Sequence, residues 1–278
     1  MIVRIALTQA VALLASLPGA AAGQSKAKLT RTEVVVIADL SNRVDRKLHP
    51  MQLQRDTAIV RLITEEFGSI VRRNRYLFSR DRLRMLYLGG ENLPSEPRVD
   101  VAKMNGDHRV VVRELPQELV RFRQDAAKPY LIPRQAYLGA DLWSWFKHSA
   151  PRTLQVDDPD RVTQTRIIIL TDGYLEFAPS IPREPGTYMQ MKKLRGRTDW
   201  EKAYDSVKLT VPAYKLPNTR VLILELAPLR PEVNTTEQAI IERYWQDYFR
   251  GMGVDAEFLT NSEALPSVQD AIRKFVTH

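Results

Sequence analysis

Three stretches of this chain are almost solidly aliphatic: Glu33 to Ala38, Arg166 to Leu170 and Arg220 to Leu226. A strand with one wet face alternates apolar and polar residues. A strand without that alternation is covered on both sides. The intervening sequence supplies the covers. Met51 to Arg73 places Leu53, Val60, Ile63, Phe67, Ile70 and Val71 on one stripe at helical spacing. Thr236 to Arg250 does the same with Ile240, Ile241, Tyr244, Trp245 and Tyr248. Gln117 to Gln124, Gln135 to His148 and Ala264 to Val276 also read as helices. Leu83 to Leu88, Arg109 to Val112 and Val254 to Leu259 read as further strands. Solid strands alternating with amphipathic helices predict an α/β fold: a doubly wound, mostly parallel six-stranded sheet with helices on both faces. Two stretches break the alternation. Asn92 to Asp107 reads as a loop, and Tyr174 to Pro217, rich in proline and glycine, reads as an insertion at about 174–217.

The first residues have a different character. Arg4 precedes an apolar run from Ile5 to Leu17, Pro18-Gly19 breaks it, and Ala20-Ala21-Ala22 offers small residues to a peptidase. This is the layout of a secretory signal, too short for a membrane span. The expected division is a signal peptide over 1–22, a linker over 23–31 and one domain over 32–278. The expected location is therefore exported, periplasmic or secreted, with no integral span after cleavage. There is no cysteine, which excludes disulfides, lipid-acylated cysteine, thiolate metal sites and cysteine nucleophiles. The four histidines form no close pair of the kind a zinc site uses. Formal charge is +8 without a long basic run, which fits a solvated basic surface rather than a nucleic-acid partner. Arg72, Arg73 and Arg75 fall at a helix C-terminus, where cations offset the dipole.

In an open sheet of this kind, ligands meet the carboxyl ends of the strands. Asp39 ends the first strand and Asp172 the fourth, so both carboxylates are expected at one crevice. The surrounding residues, Asp39-Leu40-Ser41-Asn42-Arg43 after the first strand and Thr171-Asp172-Gly173 after the fourth, resemble those of a von Willebrand factor type A domain. That family's metal site takes D-x-S-x-S after the first strand, a threonine from a later loop and an aspartate after the fourth strand. The stretch YLGADLWSWFKH is similar to the family's G-T-D-L loop. Two positions depart from the pattern: the second serine is Arg43, and the threonine falls on Ala140.

The resemblance implies a degenerate metal-ion-dependent adhesion site built on Asp39, Ser41, Arg43, Ala140, Asp141, Thr171 and Asp172. Two neighbouring carboxylates resist ionising together unless a positive charge lies between them. Three arrangements remain open. Arg43 forks to Asp39 or Asp172 in place of the metal, so that no cofactor is bound. Alternatively a weak Mg2+ or Mn2+ is held by Asp39, Ser41 and Asp172, with Asp141 nearby. In the third, Asp39 caps a turn and Arg43 points to solvent. The resemblance further implies a module that binds a protein partner in the cell envelope through this crevice, with the 174–217 insertion as its roof. Phosphate-loop, nucleophile-elbow and D-x-D patterns are absent, so the expectation is not an enzyme. A divalent-metal hydrolase of phosphates or esters, and a scaffold component of an envelope assembly, are the alternatives.

Overall fold

The structure, a computed structural model of the chain, describes residues 29–73, 80–89, 95–101, 113–132, 140–154, 161–174, 193–206, 214–228 and 236–277. The strands are β1 (Leu29–Asp39), β2 (Arg82–Leu88), β3 (Arg98–Asp100), β4 (Arg161–Leu170), β5 (Thr219–Leu226) and β6 (Ala256–Thr260). They form one sheet in the order β3-β2-β1-β4-β5-β6. β2 and β3 are antiparallel, and every other neighbouring pair is parallel. The expected α/β sheet is therefore present, with one reversed strand at its edge.

Alternation along the central strands sorts the core into two layers. Val34, Val36, Ala38, Leu83, Met85, Ile168, Leu170, Leu222 and Leu224 pack beneath α1 (Gln52–Arg73), α2 (Leu115–Ala127) and the C-terminal helix (Leu265–Thr277). Val35, Ile37, Ile167, Ile169, Val221 and Ile223 pack on the other side. There they meet α3 (Leu142–Ser144), α4 (Ala150–Leu154), α5 (Trp200–Tyr204) and α6 (Glu237–Gly251). The C-terminal helix is α7. The aliphatic runs lack polar alternation because both sheet faces are dry. Burying one such side chain is worth roughly 1.5–3 kcal/mol, which makes these strands the main anchor of the fold.

Several expectations are refined. The strand read at 109–112 lies outside the described residues. The third strand seen is β3, inside the stretch read as a loop; Val99 supplies its one inward side chain, too short a pattern to register as a strand. β1 begins at Leu29, three residues before the expected start of the domain, where it pairs with β4 from Arg161 onward. Of the helix expected over 135–148, residues 135–139 lie outside the described residues; from Leu142 the chain forms α3 and runs through a π-turn (Trp145–Ser149) into α4. Among the described residues no helix is long and apolar enough to cross a membrane. The signal peptide expected over 1–22 lies outside the described residues.

The strand order also locates the crevice. The chain winds outward in opposite directions from the central β1/β4 pair, so the connections leaving their carboxyl ends diverge.

Candidate functional site

β1 and β4 run side by side in register, with Ala38 opposite Leu170. Their next residues, Asp39 and Thr171, meet directly: the Thr171 hydroxyl donates to Asp39 Oδ2 at 2.8 Å. The other oxygen of Asp39 accepts the backbone N–H of Ser41 at 2.8 Å, the local turn that aspartate favours at a strand end. Thr171 Oγ1 also accepts the N–H of Gly173 at 3.1 Å. Asp172 Oδ1 accepts the N–H of Tyr174 at 3.3 Å. Asp39, Ser41, Thr171 and Asp172 are all buried. The two strand ends are thus tied together by their own polar groups, as buried polar atoms require.

Gly173 completes the knot. Its φ is +102°, and a Cβ there would stand 2.6 Å from Ile241 Cγ2 and 2.7 Å from Leu226 Cδ2. Its carbonyl accepts the indole N–H of Trp245 at 3.0 Å. The T-D-G ending therefore has a steric reason in this chain: the turn is left-handed, and α6 lies directly on it.

Arg43 does not fork to Asp39 or Asp172. It sits in a 3-10 turn (Asn42–Val44) capped by Ser41. That turn swings the guanidinium toward the first turns of α1, where both terminal nitrogens bond Asp56 Oδ2, at 2.7 and 3.0 Å. Both side chains are almost wholly buried. Burial alone would lower the pKa of Arg43. Asp56, Tyr130, Asp39 and Asp172 together outweigh it and hold the guanidinium more firmly protonated than usual. Burial pushes the Asp56 carboxyl up, with Arg43 and Gln52 pulling the other way. Asp39 and Asp172 thus lie within the field of Arg43, while its contact is with a third acid.

Asp56 opens onto a longer network. Gln52 Nε2 donates to Asp56 Oδ1 at 2.8 Å and to Glu225 Oε2 at 3.0 Å. Arg55 Nε lies 2.7 and 2.9 Å from the two oxygens of Glu225. Arg55 also donates to the Glu263 carbonyl at 2.8 Å. Glu225 reaches this layer through a bulge. Strict alternation after Leu222 and Leu224 would send it to the opposite face. Its φ is instead +75°, the register with β6 slips between Ile223 and Leu226, and its carboxylate turns onto α1. A non-glycine residue in that region costs roughly 1–2 kcal/mol, here offset by the ion pair.

Across the sheet, Ala140 is fully buried and offers no side-chain oxygen. Asp141, half-buried, caps α3 by accepting the Ser144 N–H at 2.9 Å. Burial raises its pKa, against the hydrogen bonds from Ser144. The fully buried Glu237 accepts Tyr174 Oη and an Arg195 nitrogen, each at 2.6 Å. Arg195, Leu194 and Tyr204 belong to the expected roof. Their packing against α6 puts the described part of the 174–217 insertion on a helix flank. Its aromatic and aliphatic side chains are used as core.

These residues do not fit a divalent ion. Asp39 accepts a donor of the chain at each oxygen, Ala140 has no side-chain ligand atom, and Arg43 brings a fixed charge whose field reaches the acids. Octahedral magnesium needs several free oxygens. Among the described residues no group of three or more histidines or acids is placed to hold a metal. The structure thus brings together Asp39, Ser41, Thr171 and Asp172, with Arg43 adjacent. Sequence reasoning missed Asp56, Gln52, Arg55, Glu225 and Glu237. The signal was available: Asp56 and Glu237 lie on the apolar stripes of their helices, and Glu225 interrupts an aliphatic strand.

No protein-family model matches the chain, and no curated protein does. Among solved structures, proximal thread matrix protein 1 from the mussel byssus is similar at a TM-score of 0.37 and 10% identity, over 90% of this chain. The chain covers 48% of that protein, about half its length. A likeness this weak carries no functional weight.

Proposed function

We propose that the chain is a von Willebrand factor type A-like binding module, without enzymatic activity. In this reading the metal site has been replaced by an internally satisfied lock, and the carboxyl edge of the sheet meets a protein partner without a cofactor. One observation carries the proposal: the Asp39 carboxylate is engaged at both oxygens by Ser41 and Thr171, with the fixed charge of Arg43 nearby where the resemblance would put a metal ion. The buried residues of the lock support the edge, and the half-exposed Asn42 and Asp141 present it. The chain acts outside the cytoplasm, with residues 1–22 removed, and its partner belongs to the cell envelope.

The test is capture from an envelope extract by immobilised protein. The same partner should be retained with and without a chelator. Asp141→Lys should release it, whereas Asp141→Asn, which keeps an acceptor for the Ser144 N–H, should weaken capture less. Capture that needs added magnesium, or that ignores Asp141→Lys, would refute the reading.

A further inference from the structure

Large apolar side chains exposed among the described residues are Leu48, Met51, Val120, Leu131, Ile132 and Leu265. All but Val120 lie close in sequence to residues that touch or flank the Arg43–Asp56 network. Leu48 and Met51 stand between the 3-10 turn and α1. Leu131 and Ile132 follow Tyr130, a buried phenol whose pKa is pushed well up by burial first and by Asp56 second. Leu265 comes two residues after Glu263, whose carbonyl holds Arg55. Isolated apolar residues on a surface mean little, but several gathered at one end mark a contact surface.

The stretch Arg46-Lys47-Leu48-His49-Pro50-Met51 is exposed throughout. Leu48 is 62% and Met51 63% exposed. The backbone beneath them is fixed: the N–H groups of Leu48 and His49 bond the Asp45 carbonyl at 3.1 and 2.7 Å, and Gln52 N–H bonds the His49 carbonyl at 3.1 Å. The neighbouring acid, Asp45, is half-buried and accepts the Lys47 N–H at Oδ1 at 2.7 Å, so it offsets part of the charge of Arg46 and Lys47. The tip therefore presents two cations and a histidine around two protruding apolar side chains. Farther out, Lys128 is paired with Asp125 and Glu263 is exposed, while Arg46 and Lys47 outnumber Asp45 at the tip.

We infer that the Arg46–Met51 loop docks this end of the molecule on an anionic lipid surface, with Leu48 and Met51 entering the headgroup–acyl boundary and Arg46 and Lys47 meeting lipid phosphates. Two features favour a bilayer. The apolar groups project singly from separate elements, and a deformable surface receives such groups without a matching groove. The flanking cations complement anionic headgroups, each worth about tenfold or less in partitioning near the surface. The inference goes beyond the protein-binding reading and does not need it: Asn42 adjoins this loop, but Asp141, which tests that reading, lies on the opposite layer of the sheet.

The experiment is co-sedimentation of the chain without residues 1–22, the form the proposed function assigns, with sucrose-loaded vesicles. One set is phosphatidylcholine alone; the other contains about 30% phosphatidylserine, enough for a negative surface potential. The wild type should sediment with the anionic set and be released by salt. Leu48→Ser/Met51→Ser should weaken partitioning about tenfold or more, and Arg46→Glu/Lys47→Glu should remove the preference for anionic vesicles. Val120→Ser, an exposed apolar change on α2, should leave binding unchanged. The substituted side chains are solvent-exposed, so an unchanged thermal midpoint certifies folding of each variant. No binding of the wild type to anionic vesicles, or equal binding by Leu48→Ser/Met51→Ser, would overturn the inference. If that double variant instead lost the protein captured by the wild type while vesicles bound neither, the loop would be a protein contact. Failure of the protein-binding reading shows separately, in the response to Asp141→Lys.

Discussion

Arg43 and Asp56 are each almost wholly out of water and touch at 2.7 Å. Such a pair adds little over well-packed apolar residues, but removing one partner strands a buried charge. Asp56→Ala should therefore cost about 3–5 kcal/mol in urea unfolding, and Arg43→Met/Asp56→Leu should recover most of it. A loss below about 1 kcal/mol for the single change would mean that Arg43 escapes to water. Glu33 gives a pH-dependent counterpart. Burial pushes its carboxyl above 4.5, against Arg84, whose Nε lies 3.1 Å away, and against Arg82 and Arg31. The fold then holds that proton more tightly than the unfolded chain does. The resulting stabilisation is present below 4.5 and is lost as pH rises through the higher folded value. Glu33→Gln, which mimics the protonated form, should gain in thermal midpoint relative to wild type as pH rises above 4.5. A wild type that gains on the variant over that range would reverse the sign. Asp39 and Asp172 were legible in the sequence as strand-end acids. The true partner of Arg43 was not, because a helical stripe shows that Asp56 faces inward but not what it meets there.

At the scale of elements, the T-D-G turn shows how a strand end is fixed by what lies on top of it. Gly173 has the backbone of a left-handed turn and no room for a methyl group under α6. Gly173→Ala should cost about 2–4 kcal/mol, combining overpacking with the left-handed penalty, read as a lower urea midpoint. A variant as stable as wild type would show that α6 can shift away. Thr171→Val keeps the shape but deprives Asp39 Oδ2 of a donor and Gly173 N–H of an acceptor. It should cost about 2–4 kcal/mol by the same measurement, and a loss under about 0.5 kcal/mol would mean that water replaces the hydroxyl. Long periodic elements could be read from sequence because burial imposes their spacing: the stripe of α1 and the aliphatic block of β4 both emerged close to their expected positions. β3 and the β5 bulge could not. Three residues carry no period, and the inversion at Glu225 depends on Arg55, far away in the chain.

For the whole molecule, the mostly parallel sheet and its two dry layers follow from the unbroken aliphatic strands, and this part of the architecture was legible. The state of the crevice was legible only in part. Arg43 and Ala140 were legible as departures from the metal pattern that the sequence resembles, but the 3-10 turn that carries Arg43 toward α1 is set by tertiary packing. The result is a crevice whose acids are quieted by hydrogen bonds and by a nearby guanidinium, with exposed groups left to its rim. Calorimetric titration of the folded chain with magnesium, then manganese, tests this most directly. No saturable heat is expected in the micromolar range, and the thermal midpoint should not change with either ion. One-to-one micromolar binding that disappears in Asp39→Ala would contradict the account.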